Sequence, residues 1–373
     1  MNTQAPQITI PWAQPVMGEP EIAEVMSAFR ADWLTQGPKT RAFEEKMAAI
    51  LGVPHAVAVS NGSVAIDIAL QIMGIRPGDE VIVPSMTYFA TAAGVSRIGA
   101  IPVFVDVEPD TMGLNPDLIE GAMTERTKGV VFIDHGGGPS RASDIVAKAK
   151  DLGLICLQDA AQSLGGTFDG APLGSQAVMS TMSFHLAKIM TTVEGGMIFT
   201  HDEGYAREAR IYRSQGEEAK YHHTRLGTNA RMTDIQAAIG LHQADRLPGF
   251  LAERARIVKR YDARLVGHPG IERPQPSTNA RQHANFLYSI LVEDRDGVAS
   301  ALRQRGIDTR VCYPVALYNQ PVYATGRTPS RITPSPVSED IARRILNLPL
   351  YPQMSDQTAD FVADTLIDVL RNR

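Results

Sequence analysis

The chain has 373 residues, a net charge of −5 and two cysteines, enough length for a large domain with a smaller one beside it. Its charges are spread without a basic block, which argues against nucleic acid or an anionic membrane as main partner, and no apolar stretch is long enough to span a bilayer. Met1–Ile10 lacks the basic-then-apolar pattern of a secretory signal, and Cys156 and Cys312 both sit in apolar runs, so a reducing, cytoplasmic setting is expected rather than a disulfide framework.

A helix is expected at Pro20–Arg30, in a segment of about thirty residues that can pack on either domain. From Val53 onward, strands alternate with helices. The strands read as Ala56–Ser60, Glu80–Pro84, Pro102–Val107, Gly129–Asp134, Leu154–Asp159, Met179–Phe184 and Gly196–Thr200. Most are continuous apolar runs, the pattern of strands covered on both faces. Helices are expected at Ser63–Met73, Ala142–Leu152 and Asp202–Ser214. This repetition implies a mixed, mainly parallel seven-stranded α/β sheet sandwiched by helices. After Thr233 the pattern becomes one long amphipathic helix to about Arg264, which Pro248 should kink or break. A strand at Phe286–Val292, a helix at Val298–Arg305 and a terminal helix at Ser355–Leu370 complete a smaller C-terminal α/β domain, with Pro-rich loops at Pro274–Pro276 and Pro329–Pro336. The boundary is placed near Asp245–Pro248, dividing the chain into residues 1–246 and 247–373.

Two segments carry the chemistry. Lys188 follows a short apolar strand in Met182-Ser183-Phe184-His185-Leu186-Ala187-Lys188, ahead of Glu194-Gly195-Gly196. A desolvated lysine is more readily neutral, and its amine can then attack a carbonyl to form a Schiff base. Asp159 ends another apolar strand and opens Asp159-Ala160-Ala161-Gln162. Pyridoxal 5'-phosphate requires this pair: a lysine for its aldehyde and an aspartate for its pyridine nitrogen. Asp159 could alternatively cap the next helix, but strand ends of an open sheet are where ligands bind.

Ser60-Asn61-Gly62-Ser63 joins a strand to a helix whose N-terminus suits a phosphate, or is simply capped by Ser or Asn. Tyr88 lies beyond a second strand and offers a ring face to a flat cofactor; Phe89 next to it is the expected core aromatic. Gln162 lies within reach of the cofactor's ring oxygen. His185 either covers the cofactor or is structural, and the glycines after His135 let a ligand approach the backbone. His222-His223 read as surface, and histidine spacing gives no metal signal.

With these segments in hand, the chain resembles the DegT/DnrJ/StrS sugar aminotransferases, within the fold-type I pyridoxal-phosphate enzymes. The likeness rests on Asp32-Trp33-Leu34-Thr35-Gln36-Gly37-Pro38, Ser60-Asn61-Gly62-Ser63, Pro77-Gly78-Asp79-Glu80, Asp159-Ala160-Ala161-Gln162, Ser183-Phe184-His185 with Lys188, Glu194-Gly195-Gly196, Asn229-Ala230-Arg231-Met232 and Leu346-Asn347-Leu348-Pro349, in order. The resemblance implies that Lys188 forms the Schiff base and shuttles protons while Asp159 pairs with the ring nitrogen. Tyr88 would stack on the ring, and Gln162 would contact the phenolic oxygen. Gly62, Ser63, Ser183 and, across a homodimer interface, Asn229 of the partner would hold the phosphate. Arg231, His185, Tyr313 and Tyr318 are expected near the substrate.

The sequence departs from the family pattern where glycine usually precedes Glu194 (here Val193), at His135-Gly136-Gly137-Gly138 and around Tyr318. The implied reaction moves the amino group of L-glutamate to a nucleotide-linked keto sugar. The Asp32–Gly37 and Glu194–Gly196 segments resemble enzymes acting at the C-4 ketone of a 6-deoxy sugar, as in aminosugar and polysaccharide or O-antigen synthesis. A C-3 ketone, a cyclitol ketone and a non-catalytic regulatory role are the alternatives.

Overall fold

A computed structural model describes residues 9–31, 33–274 and 277–372. Asp32 of the N-terminal motif, part of the Pro274–Pro276 loop and most of the Met1–Ile10 segment lie outside the described residues.

The strands of the large sheet are β1 (His55–Val59), β2 (Glu80–Pro84), β3 (Ile101–Val105), β4 (Thr127–Ile133), β5 (Ile155–Asp159), β6 (Met179–Ser183) and β7 (Gly196–Thr200), each within two residues of its expected start. Their order is β1-β7-β6-β5-β4-β2-β3, and β7 alone runs antiparallel to its neighbours. Continuous apolar sequence follows from covering on both faces. Val57, Val81, Val83 and Leu157 pack under α3 (Gly62–Ile72), α4 (Phe89–Arg97) and α6 (Glu203–Tyr212). The alternate residues Ile82, Val130 and Cys156 meet α5 (Ala142–Asp151). Ala56, Ala58 and Phe199 meet α2 (Pro38–Leu51) and α7 (Asp234–Leu265).

Helices α2 and α4 are additions to the sequence reading. Asp234, 1% exposed, caps α2 from across the chain: its carboxylate accepts from the amides of Gly37 (2.8 Å), Lys39 (3.0 Å) and Thr40 (2.9 Å) and from the Thr40 hydroxyl (2.6 Å). The Trp33–Pro38 motif thus forms a helix start bound to the first residue of α7. The expected Pro20–Arg30 helix is α1 (Glu19–Arg30) and packs on α7.

Helix α7 starts at a Thr233–Gln236 capping box and continues through Pro248 without a break. A proline inside a helix costs roughly 3 kcal/mol; here packing on both sides of it offsets that cost. Ala237, Ala244 and Leu247 belong to the large-domain core, while Ile257, Tyr261 and Leu265 belong to the C-terminal core. The transition between the two cores therefore falls inside one helix. The C-terminal core is closed by β8 (Tyr288–Leu291), α8 (Arg295–Gln304), β10 (Ile345–Leu348) and α10 (Asp356–Arg371), with β8 and β10 antiparallel.

Two segments cross the expected boundary. Thr9 and Ile10 bond to Gly306, and Ile10 enters the C-terminal core. In the other direction, the Pro329–Pro336 loop contains β9 (Arg331–Ile332), an eighth strand parallel to β3, and leads into α9 (Pro336–Arg344). Leu317, Tyr318 and Tyr323 join the large-domain core. Sequence placed this stretch in the small domain; pairing with the β3 edge draws it to the large one.

Candidate active site

The carboxyl ends of β4, β5 and β6 open on a cavity of about 820 Å³. Gly62, Ser63, Tyr88, Asp159 and Gln162 line it, as do Ser183, His185, Lys188 and Tyr313. Nine residues singled out in sequence, spread over some 250 positions, therefore share one space.

Lys188 sits in the loop after β6, its amide bonded to the His185 carbonyl at 2.9 Å. Its amine lies 4.7 Å from the centre of the Phe286 ring. Burial lowers its pKa to about 8, opposed by the negative field of Asp159. Asp159, at the end of β5, is 6% exposed. Its carboxylate accepts from the Thr91 hydroxyl at 2.8 Å and the Ala161 amide at 3.1 Å. Burial raises its pKa; those two bonds and the field of Lys188 hold the rise back. Behind it, the fully buried Asp134 accepts from Gln158 (2.8 Å), the Ser163 hydroxyl (2.8 Å) and the Ser140 hydroxyl (2.8 Å), tying the β4 and β5 loops together. Burial also raises the pKa of Asp134.

Helix α3 begins at the cavity wall. Asn61 caps the helix by accepting from the Val64 amide at 2.9 Å. A Cβ on Gly62 would stand 2.9 Å from Ser183 Cβ, so helix and β6 approach closely only with glycine there. Gln162 is anchored at both ends: its carbonyl accepts from the Gly136 amide at 2.6 Å and its amide donates to the Tyr313 hydroxyl at 3.0 Å. Tyr88, 57% exposed, has its ring centre 5.9 Å from that of Tyr313. His185 lies on the rim, 3.9 Å from Glu194. Val193, where the family usually has glycine, has φ +71°, a left-handed backbone that costs a β-branched residue about 1–2 kcal/mol.

Other expectations land elsewhere. Tyr318 is 7% exposed, packs against Phe104 and donates to Glu339 at 2.7 Å, away from the cavity. Asn229 is exposed and Arg231 half-buried, pairing through the backbone with Ser214 and Val59 respectively; neither lines this chain's cavity. Phe89, the expected core aromatic, is 42% exposed because it starts α4. His135 is fully buried, and burial pushes its pKa down to about 4. His222-His223 lie on an exposed hairpin strand. Sequence reading missed Thr91, one helical turn beyond Thr87-Tyr88, which holds Asp159, and it missed Trp12, Phe286 and Cys312, which line the cavity. The Thr91 spacing was a usable signal; the other three arrive from distant segments.

These residues fit pyridoxal phosphate. Asp159 is a buried carboxylate bonded only to neutral donors, and a protonated pyridine nitrogen would supply the missing cation. The capped start of α3 lines the same cavity and offers a helix N-terminus to a phosphate.

Comparison with known proteins agrees. Residues 15–367 match the DegT/DnrJ/EryC1/StrS aminotransferase family. The chain belongs to that family. Its members are pyridoxal-phosphate-dependent sugar aminotransferases of fold type I, and this aminotransferase is one of them. It is similar to the pleiotropic regulatory protein of Geobacillus stearothermophilus (34% identity, 95% of each chain) and to the spore coat polysaccharide biosynthesis protein SpsC of Bacillus subtilis (34%, 97% of each). Among solved structures, it resembles S. venezuelae DesV in complex with a ketimine intermediate (TM-score 0.90, 32% identity, 97% and 98% coverage). It also resembles DesI in the presence of its TDP-sugar product (0.90, 30%, 98% and 94%). Among the described residues, no group of His, Cys, Asp or Glu is arranged to hold a metal, and no helix is long and apolar enough to cross a membrane.

Proposed function

We propose that this aminotransferase takes the amino group of L-glutamate and delivers it to the C-4 ketone of a nucleotide-linked 4-keto-6-deoxy sugar, as a cytoplasmic homodimer with shared active sites. The carrying observation is the convergence of Lys188 and Asp159 on one cavity at the strand ends. The Trp33–Gly37 and Glu194–Gly196 segments favour C-4, the TDP-sugar product of DesI favours a nucleotide-linked acceptor, and the free thiols Cys156 and Cys312 favour the cytoplasm.

When bound, the cofactor supplies a carbonyl and an electron sink. Asp159 would keep the ring nitrogen protonated, held for this by Thr91 and Ala161. Tyr88 would cover one ring face, Gln162 would meet the ring oxygen with its second amide proton, and Gly62, Ser63 and Ser183 would hold the phosphate. With its pKa near 8, roughly a tenth of Lys188 is neutral at pH 7 and able to accept a proton. Its amine takes the proton from the donor's α-carbon and returns one to the acceptor carbon. The apolar ring of Phe286 limits water around that amine.

Presenting L-glutamate with matched 4-keto and 3-keto nucleotide sugars tests the reading: 2-oxoglutarate should form with the former, and NMR should place the new amine on C-4. Exclusive use of the 3-keto isomer, or of a free cyclitol ketone, would refute it. The regulatory name of the Geobacillus relative has less support here, since a binding module needs neither a desolvated lysine nor a buried aspartate.

The shared site rests on Asn229, exposed and outside its own chain's cavity yet part of a family motif. Mixing inactive Lys188→Ala with inactive Asn229→Asp subunits should restore about a quarter of wild-type activity, because half of the dimers are mixed and each has one intact site. No recovery despite verified exchange would place both residues in the same site.

A further inference from the structure

Phe286 belongs to no motif, yet its ring centre is 4.7 Å from the Lys188 amine and it lines the cavity. Its position follows from the glycine run after His135. The Ala284 amide donates to the Gly137 carbonyl at 2.8 Å and the Leu287 amide to the Gly136 carbonyl at 3.0 Å. The space at these glycines, which sequence reading assigned to a ligand, is therefore filled by residues 284–287 of the chain itself. The segment is pinned on both sides of Phe286, whose side chain is 8% exposed at the reacting end of the site.

We propose that Phe286 is a specificity-determining residue that receives the methyl group beside the reacting ketone of the acceptor sugar. This rests on the C-4 reading above. Lys188 acts at the carbon to be aminated, so a ring this close to its amine faces substituents on the flanking carbons. A phenyl ring offers no lone pair or N–H, so a hydroxyl pressed against it loses water without gaining a partner, whereas a methyl gains by burial. The carbons flanking C-4 are C-3, which bears a hydroxyl, and C-5, which bears the C-6 methyl in a 6-deoxy sugar. Both neighbours of a C-3 ketone carry hydroxyls. Trp12 and Cys312 line the same cavity and extend its weakly polar wall.

The test uses the cofactor-loaded enzyme and two acceptors on one nucleotide, a 4-keto-6-deoxyhexose and a 4-ketopentose lacking C-6. The wild type should favour the methyl-bearing acceptor in kcat/KM by roughly 10–200-fold, the range for one methyl group in an apolar pocket. Phe286→Ala should remove most of that preference by slowing the hexose far more than the pentose, and Phe286→Leu should keep most of it. Calorimetric binding of the two aminated products should show the same loss of discrimination without turnover. The cofactor's absorbance and the melting temperature of the Leu variant establish that the site is intact. Equal use of both acceptors by the wild type, or equal slowing of both in Phe286→Ala, would overturn the proposal while leaving C-4 amination standing. Amination of neither, with turnover of another ketone, would overturn both.

Discussion

Gly137→Ala tests the packing that delivers Phe286. Gly137 has φ +89°, and an added Cβ would stand 2.8 Å from the Gln162 carbonyl oxygen and 2.9 Å from Ala284 Cβ. The left-handed backbone costs a non-glycine residue about 1–2 kcal/mol, and overpacking against backbone adds about 1–3 kcal/mol, giving roughly 2–5 kcal/mol. Gly153→Ala is the internal control. Gly153 has φ +68° with nothing within 4 Å of a Cβ, so it should incur the backbone cost alone. The gain from stiffening the unfolded chain is the same for both and cancels in the difference. Urea unfolding of the cofactor-free variants should therefore find Gly137→Ala less stable than Gly153→Ala by about 1–3 kcal/mol. Displacing residues 284–287 should also admit water to Lys188 and raise its apparent pKa from about 8 toward 10.5. Equal stability of the two variants would refute the close contact, and an unmoved lysine titration would refute its link to Phe286.

In cofactor-free enzyme, acetylation of Lys188 by trace acetic anhydride should rise through pH 8 and level off, with the label located by peptide mapping; a midpoint near 10.5 would mean the amine is solvated. With its folded pKa below the unfolded 10.5, the folded chain binds fewer protons, so this group's contribution to stability rises with pH between about 8 and 10.5. Asp159→Asn should keep the shape but slow amine transfer by orders of magnitude with modest loss of cofactor, and near-normal turnover would remove Asp159 from the mechanism. Thr91→Val deletes a bond to a charged group worth about 1.5–3 kcal/mol and should weaken cofactor retention by roughly 10–100-fold on dialysis; unchanged retention would show that Ala161 suffices. Val193→Gly should leave stability unchanged or raise it by up to about 1 kcal/mol, since relief of about 1–2 kcal/mol of backbone strain exceeds the entropic cost of glycine; a clear loss in urea unfolding would contradict the strain.

The sequence by itself determined the alternation of strands and helices, the doubly covered sheet, and which motif residues gather at the strand ends. Lys188, Asp159, Gly62 and Ser183 were legible because each lies at or beside the end of a strand, where the local pattern reports both burial and position. The same local logic failed at Pro248, where chain chemistry argues for a break and burial against two cores keeps one helix. Asp234 looked like an ordinary first-turn residue of α7, yet its carboxylate starts α2, almost 200 positions earlier. Tyr318 and Phe89 exchanged their expected surroundings because an eighth strand draws residues 316–332 onto the large sheet while α4 turns Phe89 outward. Phe286, Trp12 and Cys312 share a cavity with Lys188 only because segments distant in sequence converge over the strand ends. Motifs record what a residue and its near neighbours must do; contacts between distant segments depend on how whole elements fill shared space, which no window of sequence contains.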